Sequence, residues 1–251
     1  MAFADHFSSH AAAYAAHRPT YPASLFAWLA DQTPGHALAW DVATGNGQAA
    51  VALGAQFDSI YASDASAGQI EQAQAHSKVA YHVEPAERCG LADHAADLVV
   101  VGQALHWFDH ARFFAEVQRV LRPRGVFAAW CYELLNVDDA VDHAVRTFYD
   151  GPIGPYWPPE RRFIERGYVD IDVPFAPLDA PAFEMALSWT RSQLLAYLGT
   201  WSAVQRHHAD TGEDALLAIR DSLLPLWPHD EPRTVRFPLV MRTGRAGAGE
   251  R

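Results

Sequence analysis

The stretch Ala39-Trp-Asp-Val-Ala-Thr-Gly-Asn-Gly-Gln48 constrains this chain most: an apolar run closes on Asp41 and then on a turn carrying Gly45 and Gly47. It reads as the end of a first strand passing into a helix. Such a turn lets the backbone come close to a ligand, because glycine lacks a Cβ and tolerates positive φ. A second short β-like run, Ser59 to Asp64, ends in an acid about 20 residues further on, where ribose hydroxyls are commonly held.

A strand, a glycine turn and a second acid fit two ligands, a dinucleotide such as NAD or S-adenosylmethionine. Ala50 serves as the third small residue of a dinucleotide fingerprint, so the turn alone keeps NAD open. Asp41, just before the turn, repels a pyrophosphate but suits the ammonium of a methionine moiety. That sign of charge favours the sulfonium cofactor, with an NAD-dependent oxidoreductase and a non-catalytic cofactor-binding module as alternatives.

The rest of the first half alternates strand and helix, the pattern of a parallel sheet. A helix is expected over Ala23 to Asp31, opened by Pro22 in its first turn, and another over Gln48 to Ala55. Ser66 followed by Gln69 forms a capping-box pattern for a third, running through Ala73. Strands are expected over Val79 to Val83, Asp97 to Val101 and Val126 to Trp130. The β-branched run of the fourth strand suits burial on both faces. Asp109 caps a helix with the stripe Phe113, Phe114, Val117 and Leu121, and Arg122-Pro-Arg-Gly125 turns the chain. Beyond Cys131 come a Pro/Gly loop over 151–159, strands over Val169 to Phe175 and Phe183 to Trp189, and helices over Ser192 to His208 and Glu213 to Leu223. A last strand, Thr234 to Met241, precedes a frayed tail from Gly244.

Half of the 251 residues are hydrophobic, enough for a substantial core. Net charge is -11 without a Lys/Arg-rich run, which disfavours nucleic acid as partner. No apolar segment is long enough to span a bilayer, and the start lacks a signal peptide's basic and apolar regions. Two cysteines, Cys89 and Cys131, fit a reducing cytoplasm.

Asp41-Val-Ala-Thr-Gly-Asn-Gly-Gln48, Asp64-Ala-Ser66, Pro85-Ala-Glu87 and Gln103-Ala-Leu-His-Trp-Phe108 together resemble the class I S-adenosylmethionine-dependent methyltransferases. The His-Trp-Phe element, with Tyr14, Arg18-Pro-Thr-Tyr-Pro22 and Tyr197-Leu-Gly-Thr-Trp-Ser202, is similar to the small-molecule branch that contains trans-aconitate methyltransferase. One departure is Ala43, where many relatives carry the first glycine of the turn. The resemblance implies a Rossmann-like, seven-stranded, mostly parallel sheet flanked by helices, with a helical cap from the C-terminal half. It divides the chain into a lid segment and first helix (1–35), a cofactor-binding core (36–131), cap and late core elements (132–233), and a last strand and tail (234–251).

The same resemblance implies that S-adenosylmethionine is held by Tyr14, Arg18, Asp41, Ala43, Gly45, Gly47, Asp64, Ala65, Gln69, Ala86, Glu87 and Gln103. Arg18 reads equally as a surface residue, and Glu87 as an exposed loop acid. Tyr21, Trp107 and Trp201 face a small organic acceptor, such as an organic acid, although a Trp at helical spacing is more often core. His106 lies where strand ends deliver side chains to a ligand crevice; it is the candidate general base for a hydroxyl or amine, or an orienting group. His106, Asp109 and His110 lack a further ligand at recognisable spacing, so no metal is expected.

Overall fold

The computed structural model describes residues 19–247. Five parallel strands form the sheet centre: β1 (Leu38–Val42), β2 (Ser59–Asp64), β3 (Val79–Val83), β4 (Ala96–Gly102) and β5 (Leu121–Tyr132). β8 (Arg233–Arg245) runs antiparallel to β5. The order is β3-β2-β1-β4-β5-β8-β6, where β6 is Ala176–Pro177 and β7 (Phe183–Trp189) also pairs β8. β6 meets the Gly244 end of β8 and β7 its Arg233 to Leu239 half, so two short strands share the outer edge and the sheet is seven positions wide.

Helices cover both faces. On one, α1 (Ala23–Gln32) and α2 (Gln48–Leu53) share a continuous core with the cap helices α5 (Asp139–Asp150), α7 (Arg191–Gly199), α8 (Ser202–Thr211) and α9 (Leu216–Leu226). On the other, α4 (His110–Val120) and the short α6 (Arg161–Glu165) pack on Trp40, Val99, Val101 and Phe127. β4 is buried from Ala96 to Val101, as its uninterrupted apolar run requires of a central parallel strand. The caps form as the sequence suggests: Ser66 Oγ accepts from the Gln69 amide at 3.3 Å to open α3 (Ala67–Glu71), and Asp109 Oδ1 accepts from the Arg112 amide at 3.2 Å. Pro22 stands one residue before α1, with extended backbone, rather than inside its first turn.

Four expectations are corrected. The alternation Val169, Ile171, Val173, Phe175 forms no strand: Gly167 and Tyr168 are both left-handed, and Ile171 and Phe175 are buried from a chain whose backbone amides bond only in local turns. The helix over Ser192 to His208 is two helices. Thr200 Oγ1 takes the Tyr197 carbonyl at 2.7 Å and Trp201 is extended before α8 begins. Arg122 to Gly125 turns the chain inside β5, as a bulge: β4 advances from Ala96 to Leu98 while β5 advances from Leu121 to Val126, with Arg124 at φ 66°. The tail from Gly244 is not frayed at its start, because Gly244 pairs both Phe127 and Pro177, and a Cβ there would lie 2.6 Å from the Phe175 Cβ.

Candidate functional site

Asp41, next to the last residue of β1, and Asp64 and Gly102, the last residues of β2 and β4, lie at the same end of three adjacent strands, so the residues that follow them converge on one edge of the sheet. The turn after β1 is left-handed at Ala43 (φ 53°), Gly45 (φ 56°) and Gly47 (φ 85°). Gly47 must be glycine on space as well: a Cβ would lie 2.1 Å from the Tyr81 hydroxyl. Ala43 carries its methyl in a region that costs an L-residue about 1–2 kcal/mol.

Asp64 clasps this turn. Its Oδ2 accepts from the Gly45 amide at 2.9 Å and its Oδ1 from the Ser66 amide at 2.8 Å. Asp41 is 1% exposed and accepts from Thr44 Oγ1 at 2.6 Å. Burial, with a contribution from the neighbouring Asp64 charge, pushes its carboxyl up to about 7. Two acids within electrostatic reach of one another suit a cationic ligand group and oppose a pyrophosphate. The chemistry of this donor set therefore fits the methionine and ribose ends of S-adenosylmethionine.

The remaining expected cofactor residues border the same edge. Gln69 Oε1 lies 3.8 Å from the position of a Cβ on Gly45, and Ala65 sits half-buried between Asp64 and Ser66. Ala86 is buried against the second core cluster, while Glu87 Oε1 accepts from the Asp109 amide at 3.0 Å, tying the β3 loop to the start of α4. Tyr14 and Arg18 lie outside the described residues. Pro19 is placed, and its carbonyl accepts from Gln48 Nε2 at 2.9 Å, anchoring the segment before α1 on the glycine turn.

Beyond the turn, Gln103 adopts φ 58°; its Nε2 donates to the Tyr132 carbonyl at 3.2 Å, whereas its buried Oε1 has no partner. Trp130, paired in register with Gly102, is fully buried with an equally unpartnered Nε1. Tyr21 lies edge-on to Trp130, ring centroids 5.2 Å apart, and its hydroxyl is 3.1 Å from the position of a Cβ on Gly102. His106 is 7% exposed in a 3-10 turn (Leu105–Trp107) and its Nδ1 is 3.0 Å from the Tyr168 hydroxyl. Burial, then the Arg161 and His110 charges, lower His106 to about 3. Trp107 tilts against His106 at 4.6 Å and is 37% exposed. His110 bonds the Leu105 carbonyl instead of joining His106, and among the described residues no group of three or more ligating side chains could hold a metal.

Trp201 is not brought to this cluster by any ring contact. It packs with Phe148, Tyr149, Trp157 and Tyr197 in the cap. Sequence reasoning missed Trp130, Arg161 and Tyr168. Trp130 carried a signal, lying at the carboxyl end of a strand, but Arg161 and Tyr168 sit in segments with no usable period.

Residues 40–129 match the family described as a methyltransferase domain. A protein of Dictyostelium discoideum named as a methyltransferase is 30% identical over 247 residues, spanning 95% of this chain and 94% of its own. A solved structure described as a type II methyltransferase from Anaeromyxobacter dehalogenans is 42% identical with a TM-score of 0.87, covering 92% of this chain and 99% of that one. A structure described as a methyltransferase of an antibiotic biosynthesis pathway in Anabaena variabilis, 18% identical with a TM-score of 0.54 over 86% of this chain and 96% of its own, shares the fold alone. No helix among the described residues is long and apolar enough to cross a membrane. With its edge geometry, its sheet order and a relative matched over nearly the full length of both chains, this chain belongs to the class I S-adenosylmethionine-dependent methyltransferases.

Proposed function

We propose that the chain methylates a small organic acceptor at oxygen, a carboxylate in the first instance, as the resemblance to the branch containing trans-aconitate methyltransferase suggests. One observation carries the reading: the acids Asp41 and Asp64 lie at the carboxyl ends of β1 and β2, while Trp130 Nε1 near the end of β5 and Gln103 Oε1 just after β4, both without a partner among the described residues, lie on the same edge. A cationic cofactor end and a polar acceptor end thus adjoin.

When bound, S-adenosylmethionine supplies an electrophilic sulfonium methyl, so the chain has to bind, orient and exclude water. Asp41 holds the ammonium and Asp64 the ribose hydroxyls. Ala43, Gly45, Gly47 and Ala65 give backbone room to the methionine arm and ribose. Gln69, Ala86 and Glu87 border the adenine. An acceptor carboxylate is ionised near neutral pH and needs no base. His106, held neutral and made a weak base by burial, orients the acceptor. Trp130 Nε1 and the Tyr21 hydroxyl face the acceptor end, and Trp107 shields it from water.

Calorimetric titration with S-adenosylhomocysteine, with NADH as control, tests the cofactor half. Binding of the first alone is expected, and preference for NADH overturns the reading. A screen of carboxylic acids, alcohols and phenols with labelled S-adenosylmethionine tests the acceptor half: methyl ester formation is expected, and binding without turnover on any of them would favour a cofactor-binding module.

A further inference from the structure

β4 ends at Gly102, while its neighbour β5 runs on to Tyr132. Gln103 bridges the difference. Its amide donates to the Trp130 carbonyl at 2.9 Å, and its φ of 58° then turns the chain away from the sheet. In a parallel ladder alternate carbonyls of a strand face the same neighbour, so the Tyr132 carbonyl points to the side that β4 has left. The Gln103 side chain fills the missing rung, its Nε2 donating to that carbonyl at 3.2 Å. The carboxamide is thereby fixed, because a flipped amide would set Oε1 against the same carbonyl. Oε1 is left buried and without a partner among the described residues.

A second orphan stands beside it. Trp130 pairs in register with Gly102 and is fully buried, and its Nε1 has no partner among the described residues. Gly102 keeps the indole edge clear: a Cβ there would lie 3.3 Å from Trp130 Cε2, the carbon that carries Nε1, and 3.1 Å from the Tyr21 hydroxyl. Backbone conformation does not demand the glycine, since Gly102 is not left-handed. Buried polar groups are almost always paired, so an unpaired acceptor and an unpaired donor flanking one glycine call for a ligand group that supplies both halves. A hydroxyl does so, donating once and accepting as well. An ammonium only donates and a carboxylate only accepts, so either would leave one of the two unpaired.

We infer that Gln103 Oε1 and Trp130 Nε1 are the specificity pair of the acceptor site and read an acceptor hydroxyl that is not itself methylated. The inference rests on the methyl-transfer reading above and narrows its acceptor to a hydroxy acid. Neither an amide oxygen nor an indole N–H takes a proton near neutral pH, so the hydroxyl held between them stays intact and the ionised carboxylate remains the nucleophile. The pair selects the substrate through the group next to the reacting one, and holding that group fixes the direction in which the carboxylate is presented.

The experiment is calorimetric binding to the full chain saturated with S-adenosylhomocysteine, using matched acids: mandelate, phenylacetate and phenylglycine; lactate, propionate and alanine; glycolate, acetate and glycine. In at least one set the hydroxy acid is expected to bind about 10- to 100-fold more tightly than its two partners, the scale for leaving a buried polar group unpaired. Gln103→Leu should erase that preference, and Trp130→Phe, which removes the indole donor and keeps an aromatic ring, should reduce it about 10-fold. Equal binding of hydroxy and unsubstituted acids, tighter binding of the amino acid, no binding of any acid, or a preference that survives Gln103→Leu overturns the inference while leaving methyl transfer standing. If Gln103→Leu does not fold, Trp130→Phe carries the comparison, and an undiminished preference there overturns it. Should neither fold, the Trp130 indole N–H resonance of the unsubstituted chain decides: a downfield shift with the hydroxy acid and not with the unsubstituted acid supports the inference, and no shift overturns it. Loss of S-adenosylhomocysteine binding in both folded variants would assign the two side chains to the cofactor and overturn it as well. Failure of the unsubstituted chain to bind S-adenosylhomocysteine overturns the underlying reading instead.

Discussion

The Gly45 amide donates to Asp64 Oδ2 at 2.9 Å, so the turn after β1 and the carboxyl end of β2 are clasped together by the same side chain expected to meet a ribose. Asp64 thus shapes the turn, and in the proposed reading it also binds the ligand. Asp64→Ala should weaken S-adenosylhomocysteine binding by about 1.5 to 3 kcal/mol, the scale of hydrogen bonds to a charged group. Titration calorimetry reads this directly, and unchanged affinity would remove Asp64 from the cofactor site.

Asp41 gives a pH dependence of definite sign. Its folded carboxyl is raised to about 7 by burial, above the ordinary 3.8, so the free site binds a proton that a cationic ligand must displace. Cofactor affinity should rise as pH climbs through about 7, and Asp41→Asn should lose that limb while keeping any titration of the ligand itself. Stability moves the other way. The unfolded chain ionises Asp41 first, so its contribution is fully present below pH 3.8 and declines as pH rises towards 7. Thermal melts of both proteins across that window check it.

His106 should remain neutral from pH 5 to 8, since burial first and then the Arg161 and His110 charges hold it near 3. Nitrogen-15 NMR should show a neutral imidazole throughout this range. A midpoint near 6.5 would restore His106 as a general base.

Ala43→Gly is expected to stabilise the chain, against the usual penalty for glycine. The residue is left-handed at φ 53°, and relief of about 1–2 kcal/mol outweighs the added freedom of the unfolded chain, about 0.4–1 kcal/mol. Chemical denaturation should show a gain of up to about 1.5 kcal/mol. A loss would mean that the Ala43 methyl makes packing contacts worth more than the strain.

Gly47→Ala should do the reverse. It adds a Cβ 2.1 Å from the Tyr81 hydroxyl at φ 85°, and should cost about 1–3 kcal/mol together with cofactor affinity. Wild-type stability in the same denaturation series would contradict the close approach of Tyr81.

Much of this architecture is written locally. A run such as Leu98 to Val101 is apolar at every position because both faces of β4 are covered, and the glycine turn between two strand-ending acids announces itself because few residues tolerate positive φ. Ser66 and Asp109 mark helix starts through bonds spanning three residues. Local pattern failed where burial arose without a ladder, at Val169 to Phe175, and where Thr200 diverted a carbonyl within an apparently continuous helical period.

The sequence by itself therefore determined the sheet centre, the glycine turn and the acids Asp41 and Asp64, since each depends on neighbours only a few residues away. Tertiary structure alone decided which remote side chains gather beyond the end of β4. Tyr21 precedes β1, Trp130 lies near the end of β5, and Tyr168 follows a short helix beyond the Pro/Gly loop, so no spacing links them. It also drew Trp201 into the aromatic packing of the cap rather than to the sheet edge. The reason is physical: an aromatic or guanidinium side chain gains the same packing energy in a core as in a binding site, and only the closed fold fixes which surface is left for it to face.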